Sequence, residues 1–166
     1  MGWSFTFLRV RGIELKVHIT FVLILIWAAL YWSAVADEGA DGALFGIVAT
    51  LLLFVCVLLH ELGHSLTAAH YGIHVEDITL LPIGGVARIE IPEEPKKEFW
   101  ITVAGPAVNV VIAGLLLGLG AILNETSVLS LDNLAESMRS AEWSGLLPYL
   151  TIANILLVIF NILPAS

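Results

Sequence analysis

Apolar residues fall into four long runs along the chain, separated by shorter polar stretches. A helix needs about 20 predominantly apolar residues to cross the hydrocarbon core of a bilayer. Runs of this length that are almost free of charge predict spanning helices. We therefore expect about four transmembrane helices, at residues 17–36, 43–71, 100–123 and 145–163.

The first apolar run also fits a second interpretation. Residues 1–16 form an amphipathic start with three cations. A cationic start, an apolar core and the small residues Ala34-Val35-Ala36 before Asp37 are also typical of a cleaved signal peptide. The apolar core is long for a signal peptide, which favours a retained span.

The stretch between the second and third runs differs in character from both. From Val86 onward apolar and polar residues alternate, and Gly84-Gly85 is a turn signal, so short strands or a hairpin are predicted. Strands cannot face lipid with unpaired backbone groups, so they must lie at the interface or line a cavity in the protein. The expected fold class is an all-α polytopic membrane protein with a short membrane-associated β-hairpin between helices two and three.

The composition agrees with a membrane protein. Of the 166 residues, 58% are hydrophobic and 13% are charged, and the mean hydropathy is +0.94. A soluble domain usually carries about 25% charged residues. The net charge of −8 lies in the loops and does not suggest nucleic-acid binding. The lone cysteine, Cys56, cannot form an internal disulfide.

The cations orient the predicted spans. With four alternating crossings, six cations fall on one side of the membrane and only Arg139 falls on the other. Cytoplasmic loops carry the excess of Lys and Arg, so a cell-membrane protein with a cytoplasmic N-terminus is expected. The six cations are Arg9, Arg11, Lys16, Arg88, Lys96 and Lys97.

The chemistry of the chain is concentrated in the pentad His60-Glu61-Leu62-Gly63-His64, inside the second run. Residues four apart on a helix project from nearly one face. One helix sector therefore carries two imidazoles and a carboxylate, the set that a zinc hydrolase needs. Ionisable groups inside a span are expensive and mark function. His60 and His64 are candidate zinc ligands, and Glu61 is the candidate general base and then general acid.

Four motifs, in this order along the chain, carry a resemblance to a known family. They are Leu59-His60-Glu61-Leu62-Gly63-His64-Ser65, Leu81-Pro82-Ile83-Gly84-Gly85-Val86-Ala87, Ala104-Gly105-Pro106 and Phe160-Asn161-Ile162-Leu163-Pro164-Ala165. The sequence resembles the site-2 protease family of intramembrane zinc metalloproteases, in its archaeal and bacterial branch. The resemblance runs through most of the chain.

The resemblance implies a role for each matching position. His60 and His64 correspond to zinc ligands, Glu61 to the catalytic carboxylate, and Asn161 to a polar group near the zinc that holds the substrate carbonyl or oxyanion. The Gly84-Gly85 segment resembles a membrane-associated strand region whose edge could clamp an unwound substrate. The substrates would be single-span membrane proteins, cut near the cytoplasmic side.

One element of the family pattern lies outside the sequence. The family's third zinc ligand is an aspartate in a D-G motif a few residues beyond N-x-x-P, and the sequence ends at Ser166 before that motif. We therefore expect residues 1–166 to be the N-terminal part of a protease core with an incomplete ligand set. Two alternatives remain: a catalytically silent membrane scaffold that retains the motif, and a metal transporter that uses His60, Glu61 and His64 as a transit site.

Overall fold

The structure, a computed structural model, describes residues 3–90, 94–125 and 128–162, and helices dominate these ranges. The helices are α1 (Phe21–Val35), α2 (Ala40–His70), α3 (Pro95–Ile122), α4 (Leu131–Arg139) and α5 (Leu146–Ile162), with a short 3₁₀ turn at Trp143–Gly145 before α5. The strands are β1 (Ser4–Val10), β2 (Ile13–His18), β3 (Val75–Leu81) and β4 (Gly84–Ile89).

Three helices of the described part of the chain are long and apolar enough to cross a membrane. They are α2, α3 and the segment formed by the 3₁₀ turn with α5. The first expected span is shorter than predicted: α1 has 15 residues, or about 22 Å, against a hydrocarbon core of about 30 Å. The shortening has a local cause, because Val17 and His18 belong to β2.

The N-terminal region is a hairpin and not simply an amphipathic start. Strands β1 and β2 pair antiparallel, and Arg11 and Gly12 between them both have positive φ, 49° and 92°. Two such residues are what a tight hairpin turn of the right twist requires. The expectation of an all-α fold with one hairpin therefore needs correction, because the described residues contain four strands and not two.

All four strands form one sheet, in the order β1-β2-β3-β4. The outer pairs are antiparallel, whereas β2 and β3 run parallel, with Glu14 opposite Asp77. Strands β3 and β4 lie between α2 and α3 in the chain and join at Pro82 and Ile83. The parallel pairing of β2 with β3 thus joins the two hairpins into one sheet, although α1 and α2 lie between them in the chain.

The sheet packs on one end of the helices. Apolar side chains of β2 and β3 form a buried cluster with the last turns of α2 and the first turns of α3, and this cluster consists of Ile13, Leu15, Ala68, Val75, Ile78 and Ile101. The pentad lies near the same end of α2, so the sheet is brought beside it. At the opposite end the Trp32 indole of α1 donates a hydrogen bond to the Met138 carbonyl of α4, at 2.9 Å.

A buried carboxylate ties three strands of the sheet together. Asp77 on β3 is 2% exposed, and its Oδ2 lies 3.0 Å from Lys16 Nζ on β2 and accepts a hydrogen bond from Thr79. Its Oδ1 lies 3.4 Å from Arg88 Nε on β4, which is an ion pair without hydrogen-bond geometry. Hydrogen bonding to Asp77, and then to Glu14, raises the pKa of Lys16, because both carboxylates favour the charged ammonium.

We expect Asp77→Asn to destabilise the protein by about 1–3 kcal/mol, because a buried carboxylate with charged partners is lost. Thermal unfolding in detergent can be followed with a thiol-reactive dye, since the chain's one cysteine, Cys56, is buried. Glu76→Gln is the matched control, because the Glu76–Arg88 pair is exposed and such pairs contribute little. Equal melting temperatures for the two variants would contradict the anchoring role of Asp77.

Candidate metal centre and active site

His60 and His64 lie one turn apart on α2 and turn their rings toward each other. Their Nε2 atoms are 3.1 Å apart. Two nitrogens that bind one tetrahedral zinc at 2.0–2.1 Å are separated by about 3.3 Å, so the pair is already close to the spacing that a shared metal requires. His60 is buried and His64 is half-buried, as expected for groups inside a span.

A backbone carbonyl fixes the orientation of one imidazole. His64 Nδ1 lies 2.7 Å from the Ile101 carbonyl oxygen of α3. A carbonyl can only accept, so Nδ1 carries the proton and Nε2 keeps its lone pair for a metal. Such a partner on the far nitrogen is the usual support for a histidine metal ligand. The donor set at this position therefore fits a zinc ion.

Glycines allow α2 and α3 to approach closely at the two histidines. A Cβ on Gly63 would lie 2.8 Å from the Ala104 carbonyl oxygen, so the backbones touch there. A Cβ on Gly105 would lie 2.2 Å from His64 Nε2, the atom that would bind the metal. Only glycine at position 105 leaves the His64 ring in its present place.

Glu61 lies between the helix pair and the sheet. It packs on Gly85 of β4, where a Cβ would come within 2.6 Å of Glu61 Cγ. Glu61, His64 and Asn161 all line one open cleft of about 430 Å³, together with Ala87 and Ile89 of β4, Glu90, and the first turns of α3. The structure thus brings together the pentad, the β4 strand and Asn161, which the sequence places far apart.

Asn161 is positioned by α5. Its side chain is exposed to the cleft, and Nδ2 donates a hydrogen bond to the Leu157 carbonyl at 2.7 Å. The amide oxygen takes no part in this bond, and the side chain lies near the His60 ring. The rest of its motif, from Leu163 onward, lies outside the described residues.

The described part of the chain supplies two of the metal ligands and no complete set. Within residues 3–90, 94–125 and 128–162, no three His, Cys, Asp or Glu side chains cluster closely enough to hold a metal. A structural or catalytic zinc needs at least three protein ligands. A zinc site at His60 and His64 would therefore need a third ligand that the described residues do not place beside them.

Comparison with known proteins places these features in a family. The family model described as peptidase family M50 matches residues 48–141, more than half of the chain, and this range contains the pentad, the strands β3 and β4, and all of α3. The chain belongs to peptidase family M50, the site-2 proteases. Membership of this family, together with three helices long and apolar enough to cross a membrane, supports a multi-pass membrane protein.

Individual site-2 protease relatives agree with the family match. A zinc metalloprotease of Methanocaldococcus jannaschii is 36% identical over 99% of this chain and 42% of its own length. The stage IV sporulation protein FB of Bacillus subtilis is 37% identical over 43% of this chain and 26% of its own length. The chain thus spans less than half the length of these relatives.

A solved structure shows the same fold. The site-2 protease from Methanocaldococcus jannaschii superposes with a TM-score of 0.69 at 34% sequence identity, covering 98% of this chain and 66% of that one. The mostly helical architecture with a small sheet is therefore the site-2 protease fold. The name of the zinc metalloprotease from Methanocaldococcus jannaschii implies zinc as the cofactor of that relative.

Sequence patterns did not single out two residues that the structure places at the site. Asn109 on α3 is completely buried and faces the His60 ring. The signal that could have identified it is an amide within an otherwise uncharged span. Gly85 was expected to belong to a turn, and the structure shows it as the contact surface for Glu61.

We expect Gly105→Ala to weaken zinc binding at least about tenfold, because the added methyl group displaces the His64 ring. Zinc affinity can be measured by competition with a chromophoric chelator. Gly114→Ala is the matched control, because it lies on the same helix and its Cβ would enter open space. If both variants bind zinc as the wild type does, the close packing of α3 on His64 is not needed for the site.

Proposed function

We propose that this protein is a zinc-dependent intramembrane endopeptidase that cleaves the transmembrane segments of single-span membrane proteins. The observation that carries the proposal is the single cleft lined by Glu61, His64 and Asn161 beside β4. A carboxylate, a metal-binding imidazole and an amide are the groups that metal-assisted peptide hydrolysis requires.

The described residues support a division of labour in that cleft. His60, His64 and a third ligand would hold a zinc ion, which would supply Lewis acidity for the attack of water on a peptide carbonyl. Glu61 accepts the proton of the attacking water and passes it to the leaving amine, since it borders the same space as His64. The Asn161 amide lines the same cleft, where it can hold the substrate by hydrogen bonds.

The sheet supports a way to present the substrate. A helix hides its peptide bonds in i→i−4 hydrogen bonds, so a transmembrane segment must unwind before it is cut. Among the described strands, β4 is an edge strand with a partner only on its β3 side, and its residues Ala87 and Ile89 line the cleft. An unwound segment can pair with this edge and lie across Glu61.

The positions of the cations support a cytoplasmic N-terminus and a cytoplasmic site. Four of the seven cations lie in or between strands of the sheet, and two more lie at the start of α3 on the same end of the helices. Arg139 ends α4, which contacts the opposite end of α1. The positive-inside rule then assigns the sheet and the cleft to the cytoplasmic half.

We expect Glu61→Gln to reduce cleavage of a reconstituted single-span substrate by about 10²–10⁴-fold, because the group that moves the proton is lost. Zinc content and melting temperature should remain those of the wild type, since Gln keeps the shape of the side chain. The assay uses the full-length protein in proteoliposomes, with product measured by mass spectrometry.

The same assay separates the alternatives. A wild-type protein that binds the substrate but never cuts it would be the scaffold that the motif also allowed. Zinc uptake into sealed vesicles without cleavage would identify a transporter. Cleavage that survives Glu61→Gln would contradict the proposed proton transfer.

We expect Asn161→Leu to lower kcat by about 10²-fold and to leave zinc affinity unchanged, because a polar group that holds the substrate carbonyl is removed. Leu has the same number and branching of side-chain heavy atoms as Asn, and it is a good helix former. The kinetic constants of the variant test this directly. A loss of zinc in place of a loss of kcat would make Asn161 part of the metal site and not a substrate contact.

A further inference from the structure

Asn109 is an unusual residue for the interior of a membrane protein. It lies in the middle of α3, its side chain is fully buried, and neither its Oδ1 nor its Nδ2 has a hydrogen-bond partner among the described residues. A buried amide without partners costs roughly 1–3 kcal/mol per unsatisfied group. By comparison Asn154, the buried asparagine of α5, donates its Nδ2 to the Leu150 carbonyl. The burial of the Asn109 amide without partners therefore needs an explanation.

His60, which lies near Asn109, also has a buried nitrogen without a hydrogen-bond partner in the described part of the chain. His60 Nε2 faces His64, and His60 Nδ1 is buried without a hydrogen-bond partner. Polar groups near the His60 ring include the Asn109 amide, the Gly105 backbone and Asn161. Two unsatisfied buried groups, one on each helix, thus lie next to each other at the candidate metal position.

The spacing of residues along α3 explains why Asn109 lies near His60. Ile101, Gly105 and Asn109 are four residues apart and share one face of α3, and this face lies against His64 and His60 of the antiparallel α2. The ring of His64 is held by the carbonyl of Ile101. His60, one turn away on α2, lies near both the Asn109 side chain and the Gly105 backbone.

We propose that Asn109 is the positioning residue of His60. Its Oδ1 accepts the proton of His60 Nδ1, which holds the ring in the tautomer whose Nε2 lone pair points at the metal. The two zinc histidines would then be supported differently, His64 by a backbone carbonyl and His60 by a side chain. The inference rests on the proposed function, because it presupposes a zinc ion between the two Nε2 atoms.

The competing acceptor for His60 is the backbone of Gly105, and substitution separates the two. Asn109→Leu removes the amide, keeps the number and branching of the side-chain heavy atoms, and leaves the Gly105 carbonyl in place. Asn109→Asp keeps an oxygen acceptor where Oδ1 stands, and a carboxylate is a common partner of zinc-binding histidines. Asn154→Leu is the matched control, since it removes another fully buried amide from a spanning helix.

The experiment is a zinc titration of the full-length protein in nanodiscs, with the metal first removed and a chelator as competitor. We expect Asn109→Leu to bind zinc about 10–100-fold more weakly than the wild type. Asn109→Asp should bind zinc as the wild type does, and so should Asn154→Leu. Cobalt(II) in place of zinc provides a second readout, since its visible spectrum should change in Asn109→Leu and not in the Asn154→Leu control.

Each outcome decides a separate point. Wild-type affinity and an unchanged cobalt spectrum in Asn109→Leu would overturn the role of Asn109 and leave the proposed enzyme intact. Equal loss of zinc in the Asp and Leu variants would also overturn it, because an acceptor oxygen would then not be the property that matters. A wild-type protein that binds no zinc at all would overturn the proposed function itself.

Discussion

The close approach of α2 and α3 is the constraint on which the rest of this structure depends. At Gly63 and Gly105 the helices are so near that any side chain larger than hydrogen would collide with backbone or with the His64 ring. This proximity lets an imidazole on one helix reach a backbone carbonyl on the other. In lipid there is no hydrophobic force to pull helices together, so small residues and polar contacts have to supply the association.

The same device recurs on the other side of α2. A Cβ on Gly46 would lie 2.5 Å from the Ala28 carbonyl oxygen of α1, and one on Gly42 would lie 2.6 Å from that of Trp32. Helix α2 is therefore held between two neighbours by backbone contact. The pentad thus sits on a helix with close neighbours on two sides, which limits the freedom of its three ionisable groups.

The sequence predicts the parts of the fold that depend on local pattern. The pentad shows its common face through the spacing of His60 and His64 alone, and the long apolar runs predict α2, α3 and α5. The alternation from Ile13 to His18, followed back through the Arg11-Gly12 turn, was also visible, but the cations made the region look like a flanking segment of the first span. Local pattern could not show that β2 pairs with β3, because that contact joins residues about sixty positions apart in the chain.

The candidate site was predictable only in the part that depends on local sequence pattern. His60, Glu61 and His64 lie on one helix, so periodicity brings them together. Asn109 and Gly85 act through helices and strands that only the tertiary fold brings into contact with the pentad. A buried amide in an uncharged span is a weak signal by itself, since it becomes meaningful only when its neighbour is known.

The parallel pairing of β2 with β3 also sets an order of assembly. Strand β2 leaves the ribosome before α1 and α2, and its partner emerges only after both. Strands β2 and β3 can pair only after α1 and α2 have formed and have returned the chain to the end of the helices at which β2 lies. Until then the apolar residues Ile13 and Leu15 lack the β3 side chains that pack on them. The four-stranded sheet, including the strand β4 that borders the cleft, therefore cannot be completed before α2, the helix that carries His60, Glu61 and His64, has been made.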